Sequence, residues 1–327
     1  MKVAVTGATG HLGGLIVREL HARGHEVNIL VRGADIPSLR DIPVKIIHGD
    51  LDQPETLQTL LEDCDAVVHS AGLISISGDM KGLVQRVNVT GTRHVMDAAK
   101  RACVPRVIHI SSVHAYDQQP VDQPLDETRG YAPDHAFAYD RSKRDGQKLA
   151  LSYASSEMHV MAINPTSIIG PFDFRPSKLG RAMMEMYTGK FPFVFPGGYD
   201  FCDGRDIAKA VVNGLTQGRN GEAYLTGANW HSLKELFQIV SEVAGKNKKP
   251  IVIPVAGAYA GLPFIHAIST ITGKEPLYTR EAIVAVTEGN HSIISDKARH
   301  DLDYTTRPLT DTVRDTCHWF LENGYLD

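Results

Sequence analysis

The sequence predicts an α/β fold in which a doubly wound parallel sheet is covered by helices on both faces. Two observations carry this prediction. Short apolar runs alternate with segments that have the 3.6-residue period of an amphipathic helix. A glycine-rich turn joins the first apolar run to the first helical segment. Strands that alternate with helices are typical of parallel sheets, because each connection between parallel strands needs a crossover.

The predicted elements follow one another in a regular order. Apolar runs predict strands at 2–5, 26–31, 44–47, 65–69, 106–110 and 159–163, and helical periodicity predicts helices at 12–23, 54–62, 80–101 and 139–155. Beyond Pro165 the chain is rich in proline and then predicts a helix at 206–216, a strand at 223–226, a helix at 232–244 and a mostly helical tail from Tyr278. We therefore expect a sheet domain over 1–165 and a smaller lobe over 166–327, with elements near 204–226 returning to the sheet.

Composition and charge exclude several classes of function. The 327 residues carry a formal net charge of -4, and a short run of Lys246, Lys248 and Lys249 is interpreted as a solvated turn. We therefore expect no nucleic-acid partner. The four cysteines are scattered without a CxxC pair, which predicts reduced thiols and no metal site. The first strand begins directly at Lys2, so we expect no signal peptide and a cytoplasmic location.

One uncharged segment is long enough to be compared with a membrane span. Residues 251–273 contain no Asp, Glu, Lys or Arg, but the apolar run is interrupted by Pro254, Gly257, Gly261, Pro263 and His266. Because proline and glycine disfavour a continuous buried helix, we expect the end of a strand followed by a core or interfacial helix, and no membrane span.

The glycine-rich turn predicts a binding site for a dinucleotide. It reads TGATGHLG from Thr6 to Gly13 and lies between a strand and a helix. Gly7 permits a tight turn, Gly10 lets backbone N–H groups approach a pyrophosphate, and Gly13 lets the helix lie against the sheet. The positive end of that helix attracts the phosphates. The 1–165 domain is therefore expected to be a dinucleotide-binding Rossmann domain, and the 166–327 lobe is expected to bind substrate.

The end of the second strand indicates which dinucleotide is bound. An acidic side chain there contacts the ribose hydroxyls of NAD, whereas arginine suits the 2′-phosphate of NADP. Arg32 ends this strand, and Asp35 in the following loop could still face a ribose. We predict NADP, with NAD as the alternative.

A tyrosine and a lysine on the same helix face predict acid–base chemistry. Tyr139 and Lys143 are one helical turn apart, and the ammonium is expected to lower the pKa of the phenol toward the working range. Ser112 follows the strand 106–110 at the edge where doubly wound sheets bind ligands, and its hydroxyl could hold the reacting oxygen. Each signal is weak alone, but their order along the chain predicts Ser112, Tyr139 and Lys143 as catalytic residues.

Taken in order, these motifs resemble the extended short-chain dehydrogenase/reductases, also called the NAD-dependent epimerase/dehydratase family. The resemblance covers nearly the whole chain and includes the NVTGT motif from Asn88 and the NPTSIIGP motif from Asn164. It implies that Asn88 orders the active site and that a homodimer forms through the helices near 83–101 and 139–155. The cofactor contacts that we predict are Gly7, Thr9, Gly10, His11, Leu12, Gly13, Arg32, Asp50, Leu51, Ser70, Ala71, Gly72, Asn88, Tyr139, Lys143, Pro165 and Ile168.

The residues after Ser112 distinguish branches of this family. Val113 and His114 stand where dehydratases have an acidic pair, so dehydration is disfavoured. The NPTxxxGPF pattern and Arg32 resemble the dihydroflavonol-reductase and hydroxysteroid-dehydrogenase branch. Asp117 replaces the asparagine that meets the flavonoid in plant dihydroflavonol reductases, which argues against a flavonoid. His114 is either a packing histidine or a substrate contact, so the candidate substrate residues are Ser112, His114 and Asp117.

The sequence therefore predicts an NADPH-dependent reductase that acts on a carbonyl of a small organic substrate. A nucleotide-sugar epimerase is the alternative within the same family. A non-catalytic dinucleotide sensor is the alternative from another class, although a sensor has no use for an acid–base pair.

Overall fold

Strands and helices alternate through the first half of the molecule, and the second half is mostly helical. The computed structural model describes residues 1–33, 36–190, 192–272 and 279–326. Its strands are β1 (Lys2–Thr6), β2 (Glu26–Val31), β3 (Lys45–His48), β4 (Ala66–His69), β5 (Arg106–Ile110), β6 (His159–Pro165), β7 (Ser167–Ile169), β8 (Phe193–Val194), β9 (Gly198–Asp203), β10 (Ala223–Thr226), β11 (Asn229–Ser232) and β12 (Ile251–Val252). Its α-helices are α1 (His11–Ala22), α2 (Pro54–Leu61), α3 (Leu83–Gln85), α4 (Gly91–Arg101), α5 (Ala138–Leu151), α6 (Lys178–Thr188), α7 (Gly204–Asn213), α8 (Leu233–Val243), α9 (Val255–Thr272), α10 (Arg280–Glu288), α11 (Asp296–Leu302) and α12 (Leu309–Glu322).

A parallel sheet lies at the centre, which confirms the predicted fold class. Within the described residues, seven strands pair in the order β10-β6-β5-β4-β1-β2-β3, and every pair is parallel. The chain leaves β1 toward β2 and β3 on one side and later toward β4 and β5 on the other. Such a reversal opens a crevice at the carboxyl ends of β1 and β4, where α/β proteins bind ligands.

Both faces of the sheet are buried, which explains why its strands are apolar without alternation. Val3 and Val5 of β1 belong to a core that the sheet forms with α1 and α7. Ala4 points to the other face, into a core formed with α2, α4 and α5. Burial on both faces fixes the strand register and therefore the positions of the loops at the ligand-binding edge.

The chain after β6 builds a smaller set of elements beside this sheet. A short sheet has the order β11-β9-β7, and α6, α8 and α12 contribute to its apolar core. Several of the later elements belong instead with the main sheet: α7 packs on α1, α11 packs on α7 and β10, and β10 pairs with β6 at the edge of that sheet. The division of the chain into domains at residue 165 stays a prediction.

The helix predicted at 80–101 is helical from 83 to 101 but contains a π-helical turn. This turn, Arg86–Thr90, lies between α3 and α4. Helical periodicity predicts an ordinary α-helix here and does not indicate which turn takes an extra residue. π-turns often occur at functional sites, and this one carries Asn88.

The uncharged segment has the predicted form of a strand end followed by a helix, because β12 ends at Val252 and α9 begins at Val255. α9 runs through Pro263, which removes only one hydrogen-bond donor, and the carbonyl left without that donor belongs to Tyr259, a residue 37% exposed. Most described side chains of α9 are at least partly exposed, and Ala258 is the buried one, so the helix is not part of the core. Among the described residues, no helix has the length and apolar character that a membrane span requires.

Candidate active site

A large cavity at the carboxyl edge of the sheet contains nearly all the predicted site residues. Its volume is about 1160 Å³. Sites for one small molecule measure roughly 300–1,000 Å³, so this cavity has room for a dinucleotide and a substrate together. All the predicted cofactor, catalytic and substrate residues line it except Asn88.

The glycine-rich turn forms one end of the cavity, and its glycines are required by close contacts. Gly7 has φ +73°, and a Cβ there would lie 2.5 Å from the backbone nitrogen of Ala71. A Cβ at Gly13 would lie 2.1 Å from the Gly7 carbonyl oxygen. The Gly10 N–H donates to that same oxygen at 3.0 Å and closes the turn. Only glycine leaves this cradle open, and α1 begins directly behind it.

Asn88 holds the loop that follows β4, although it does not line the cavity. Its Oδ1 accepts from the Leu73 N–H at 2.7 Å, and its Nδ2 donates to the Leu73 carbonyl at 3.0 Å and to the Ser142 hydroxyl at 2.9 Å. The side chain therefore ties the π-turn to the loop and to α5. A Cβ at Gly146 would lie 2.5 Å from the Asn88 carbonyl oxygen, so α5 can approach this closely only with glycine there.

A buried amide network fixes the turn that carries Ser112. Asn164 Nδ2 donates to the Ser112 carbonyl at 2.8 Å and to Gln147 Oε1 at 2.5 Å. Gln147 Nε2 in turn donates to the Tyr116 hydroxyl at 3.2 Å. The network links β6, α5 and the 3-10 turn Val113–Ala115, so the position of Ser112 depends on three separate elements.

The three predicted catalytic side chains meet beside this network. The Ser112 hydroxyl hydrogen-bonds the Tyr139 phenol, and Lys143 Nζ donates to the Ile110 carbonyl at 3.1 Å. A Cβ at Gly72 would lie 3.3 Å from Lys143 Nζ, so that glycine leaves room for the ammonium. α5 supplies Tyr139 and Lys143, and the loop after β5 supplies Ser112.

The protonation states differ from the expectation for this pair. The pKa of Tyr139 is raised to about 12, mainly by desolvation; the hydrogen bond from Ser112 opposes this rise and the charge of Asp140 adds to it. Burial lowers the pKa of Lys143 to about 8. The predicted net lowering of the phenol pKa was therefore wrong, because loss of solvation is the largest effect on the phenol. At neutral pH the phenol holds its proton and the lysine is mostly charged.

His114 forms an ion pair next to the phenol. Its Nδ1 lies 2.9 Å from Asp140 Oδ1, and its ring meets the Tyr139 ring edge-on with centroids 5.6 Å apart. Its backbone N–H donates to the Ser112 hydroxyl at 3.2 Å. Desolvation lowers the pKa of His114, but the hydrogen bond and charge of Asp140 outweigh this and raise it above the usual value. Asp117, by contrast, accepts from the Gln119 N–H at 3.0 Å within its own turn.

The far end of the cavity carries charges of both signs. The Arg32 side chain is 82% exposed, and its Nη1 lies 4.0 Å from Asp50 Oδ2. Arg86, from the π-turn, also lines the cavity and lies 3.9 Å from Asp52 Oδ2. Asp35 lies outside the described residues.

Sequence reasoning missed three contributors to the site: Asp140, Gln147 and Arg86. Asp140 directly follows Tyr139, but its importance depends on His114, which is distant in sequence. Gln147 is buried on α5, whose buried face also carries Ser142 and Lys143, so its polarity alone did not single it out. Arg86 lies in the π-turn and lines the cavity, and no sequence pattern indicates that turn.

The fold and this arrangement of residues define a class of protein. Residues 3–227 match the model of the NAD dependent epimerase/dehydratase family, and the chain belongs to this family. It is therefore a member of a family of NAD-dependent enzymes, as the resemblance implied.

Several known proteins are similar to this chain over nearly its whole length. The sterol demethylase protein B of Methylococcus capsulatus is 30% identical over 100% of both chains. A putative dihydroflavonol 4-reductase of a Synechocystis species is 27% identical over 98% of this chain and 95% of the relative. The crystal structure of gox2253 superposes with a TM-score of 0.85, at 29% identity and over 99% of both chains.

Proposed function

We propose that the protein is an NADPH-dependent reductase that converts a ketone or aldehyde of an apolar organic molecule to an alcohol. The observation that carries this proposal is the position of Tyr139. Its phenol is hydrogen-bonded by Ser112, lies one helical turn from Lys143, and lines the same cavity as the glycine-rich turn. Family relatives named as reductases support the same reaction class.

The residues present fit a dinucleotide. A Cβ at Gly7 or Gly13 would fill the cradle in which the pyrophosphate would lie against the N-terminus of α1. Lys143, Pro165 and Ile168 would hold the nicotinamide end, since all three line the cavity. When bound there, the nicotinamide supplies a hydride to the carbonyl carbon.

The protein's own residues donate the proton that the reduction requires. Because desolvation raises the pKa of Tyr139 to about 12, the phenol is protonated and can donate to the developing alkoxide, which is a far stronger base. The Ser112 hydroxyl holds the substrate oxygen beside the phenol. The Lys143 ammonium stabilises the phenolate that remains. These protonation states favour reduction over oxidation near neutral pH.

Arg32 supports NADPH as the preferred cofactor. Its largely exposed guanidinium lies at the end of β2, where a 2′-phosphate would be placed, and Arg86 is a second cation at the same end of the cavity. Asp50 and Asp52 weaken the preference for NADPH, because carboxylates at that end of the cavity suit free ribose hydroxyls. NAD is therefore the alternative cofactor.

The substrate end of the cavity suits an apolar molecule with one polar group. Leu73, Ile76, Val284 and Ala285 line it, and the His114 ring meets the Tyr139 ring edge-on. We propose that His114, oriented by Asp140, donates a hydrogen bond to a second oxygen of the substrate. The names of the two relatives, with a sterol and a dihydroflavonol, point to ring systems of this apolar kind.

The test is the Tyr139→Phe variant, assayed by the absorbance of the reduced nicotinamide with a panel of ring ketones. Removing the proton donor should lower turnover by about 10²–10⁴-fold and leave NADPH affinity unchanged. Tyr153→Phe is the matched control, since its hydroxyl donates to Asp97 at 2.6 Å and does not face the cavity. Unchanged turnover of the Tyr139 variant would reject the assignment. Tight NADPH binding without turnover of any ketone by the wild type would favour the sensor.

One observation favours a nucleotide-sugar epimerase as the second candidate. Arg175, Lys178 and Arg181 line the cavity beyond the substrate end, and cationic side chains there could contact a diphosphate. An epimerase interconverts sugar nucleotides without net change in nicotinamide absorbance, whereas the reductase consumes NADPH. Incubation with a sugar nucleotide, followed by product analysis, separates the two.

A further inference from the structure

α9 and β12 expose apolar side chains that the proposed reaction does not use. Phe264 is 73% exposed, and Ile251 and Val252 of β12 are 55% and 46% exposed. No residue from 251 to 273 is charged. A helix that faces water normally has a polar outer face, and contiguous exposed apolar surface marks an interaction site. We call the exposed residues of β12 and α9 the apolar rim.

The apolar rim continues into the mouth of the cavity. α9 packs against α10, and Tyr259 of α9 and Val284 of α10 both line the cavity. Ile74, in the loop after β4, is 65% exposed and also lines the cavity.

The loop that carries Ile74 is attached to α10 by two hydrogen bonds. The Gly78 N–H donates to Glu281 Oε1 at 2.8 Å, and the Thr279 hydroxyl donates to the Ile76 carbonyl at 2.6 Å. α9 and this loop therefore both contact α10, and both place exposed apolar side chains at the cavity.

A run of positive charge lies directly before the apolar rim. Lys246, Lys248 and Lys249 are exposed, and Lys249 stands two residues before Ile251. Lys246 Nζ donates to the Tyr187 carbonyl at 2.6 Å, which holds the start of the run against α6. Cations next to an exposed apolar segment complement the negative headgroups of anionic lipids.

We propose that the apolar rim lies on the surface of an anionic lipid membrane, with Lys248 and Lys249 at the headgroups and the cavity mouth beside the lipid. The helix needs no polar face of its own, because its other side packs on α10. A second copy of the chain fits less well, since a two-fold contact would place the same lysines and the same cavity mouth against each other. This surface does not depend on which reaction the cavity carries out.

Co-sedimentation of the full chain with lipid vesicles tests the proposal. Vesicles of phosphatidylcholine containing phosphatidylglycerol should bind the protein more tightly than phosphatidylcholine alone. Phe264→Ser should weaken binding to the mixed vesicles by roughly tenfold, from the loss of one buried aromatic side chain. Lys248→Gln with Lys249→Gln should weaken binding to the mixed vesicles and leave binding to phosphatidylcholine unchanged.

Ile46→Ser is the matched control, because Ile46 is 46% exposed on the edge strand β3, outside the apolar rim. It should bind vesicles as the wild type does. NADPH titration and circular dichroism of each variant show whether the fold and the cofactor site are intact, independently of any substrate.

Three outcomes would overturn the proposal. The first is a wild type that binds neither kind of vesicle. The second is a Phe264→Ser variant that binds as tightly as the wild type. The third is a dimer in light scattering that Phe264→Ser converts to a monomer without any vesicle binding, which would make the apolar rim an interface between copies.

Discussion

Replacing Lys143 by methionine should abolish turnover and change how stability depends on pH. Lys143 is 8% exposed, and burial lowers its pKa from 10.5 to about 8. That shift opposes folding by roughly 3 kcal/mol below about pH 8, where the amine is charged in both states, at about 1.36 kcal/mol per pKa unit. Methionine removes this cost but leaves the Ile110 carbonyl without the 3.1 Å hydrogen bond from Nζ. An unpaired buried carbonyl costs about 1–3 kcal/mol, so the variant should be more stable at pH 7 by on the order of 1 kcal/mol.

The sign of the pH dependence follows from where the proton is bound. Below about pH 8 the amine is charged in both states, and the wild type bears the whole cost of the buried charge. Between that pH and 10.5 the unfolded chain holds a proton that the folded protein has released, so wild-type stability rises relative to the variant. Above 10.5 only the hydrogen bond remains, and the wild type should be the more stable protein.

Urea unfolding of both proteins at neutral and at strongly alkaline pH measures this difference. The order of the two midpoints should reverse, with a change in relative stability of about 3 kcal/mol. A difference that stays the same at both pH values would show that Lys143 is not held out of water. The reasoning about desolvation at this site would then be wrong.

Three further predictions concern the two ends of the cavity. Gly7→Ala should weaken NADPH binding by about tenfold to a hundredfold, because a Cβ there meets the Ala71 nitrogen at 2.5 Å and φ is +73°; unchanged affinity in a fluorescence titration contradicts this. Arg32→Ala should weaken NADPH by about tenfold and leave NADH unaffected, since only NADPH carries the 2′-phosphate; equal losses for both cofactors would argue against NADPH specificity. Asp140 raises the pKa of His114 against the opposing effect of desolvation, so the charged pair persists below the ordinary value of 6.5 and is lost as the pH rises through the raised pKa. The KM for an oxygen-bearing ketone should therefore increase with pH, and Asp140→Asn should move that increase to lower pH; superimposable profiles would exclude a role for the pair.

The sequence predicted the parts of the site that local chemistry determines. Gly7 and Gly13 were predicted from the contacts that a Cβ would make, and those contacts are present. Tyr139 and Lys143 were placed together because helical geometry fixes their separation. The parallel sheet followed from runs of apolar residues that need cover on both faces.

The rest depends on contacts between residues that are distant in sequence. The network from Asn164 through Gln147 to Tyr116 spans three elements, and no spacing rule relates them. The pKa of Tyr139 depends on how completely the surrounding chain excludes water, which the helix motif does not encode. Whether α9 lies in the core or at the surface was left open for the same reason, because an apolar run is compatible with both.

The pairing of β10 with β6 has a consequence for attempts to change the substrate specificity of this protein. A truncated chain that ends near residue 165 would lack this edge strand. It would expose the unpaired backbone of β6, which favours aggregation. A design that gives this protein the substrate specificity of another should therefore leave α7 and β10 unchanged and replace only the segments before α7 and after β10. Both replacement segments would have to come from the same protein, because β7 and β11 both pair with β9 in the short sheet.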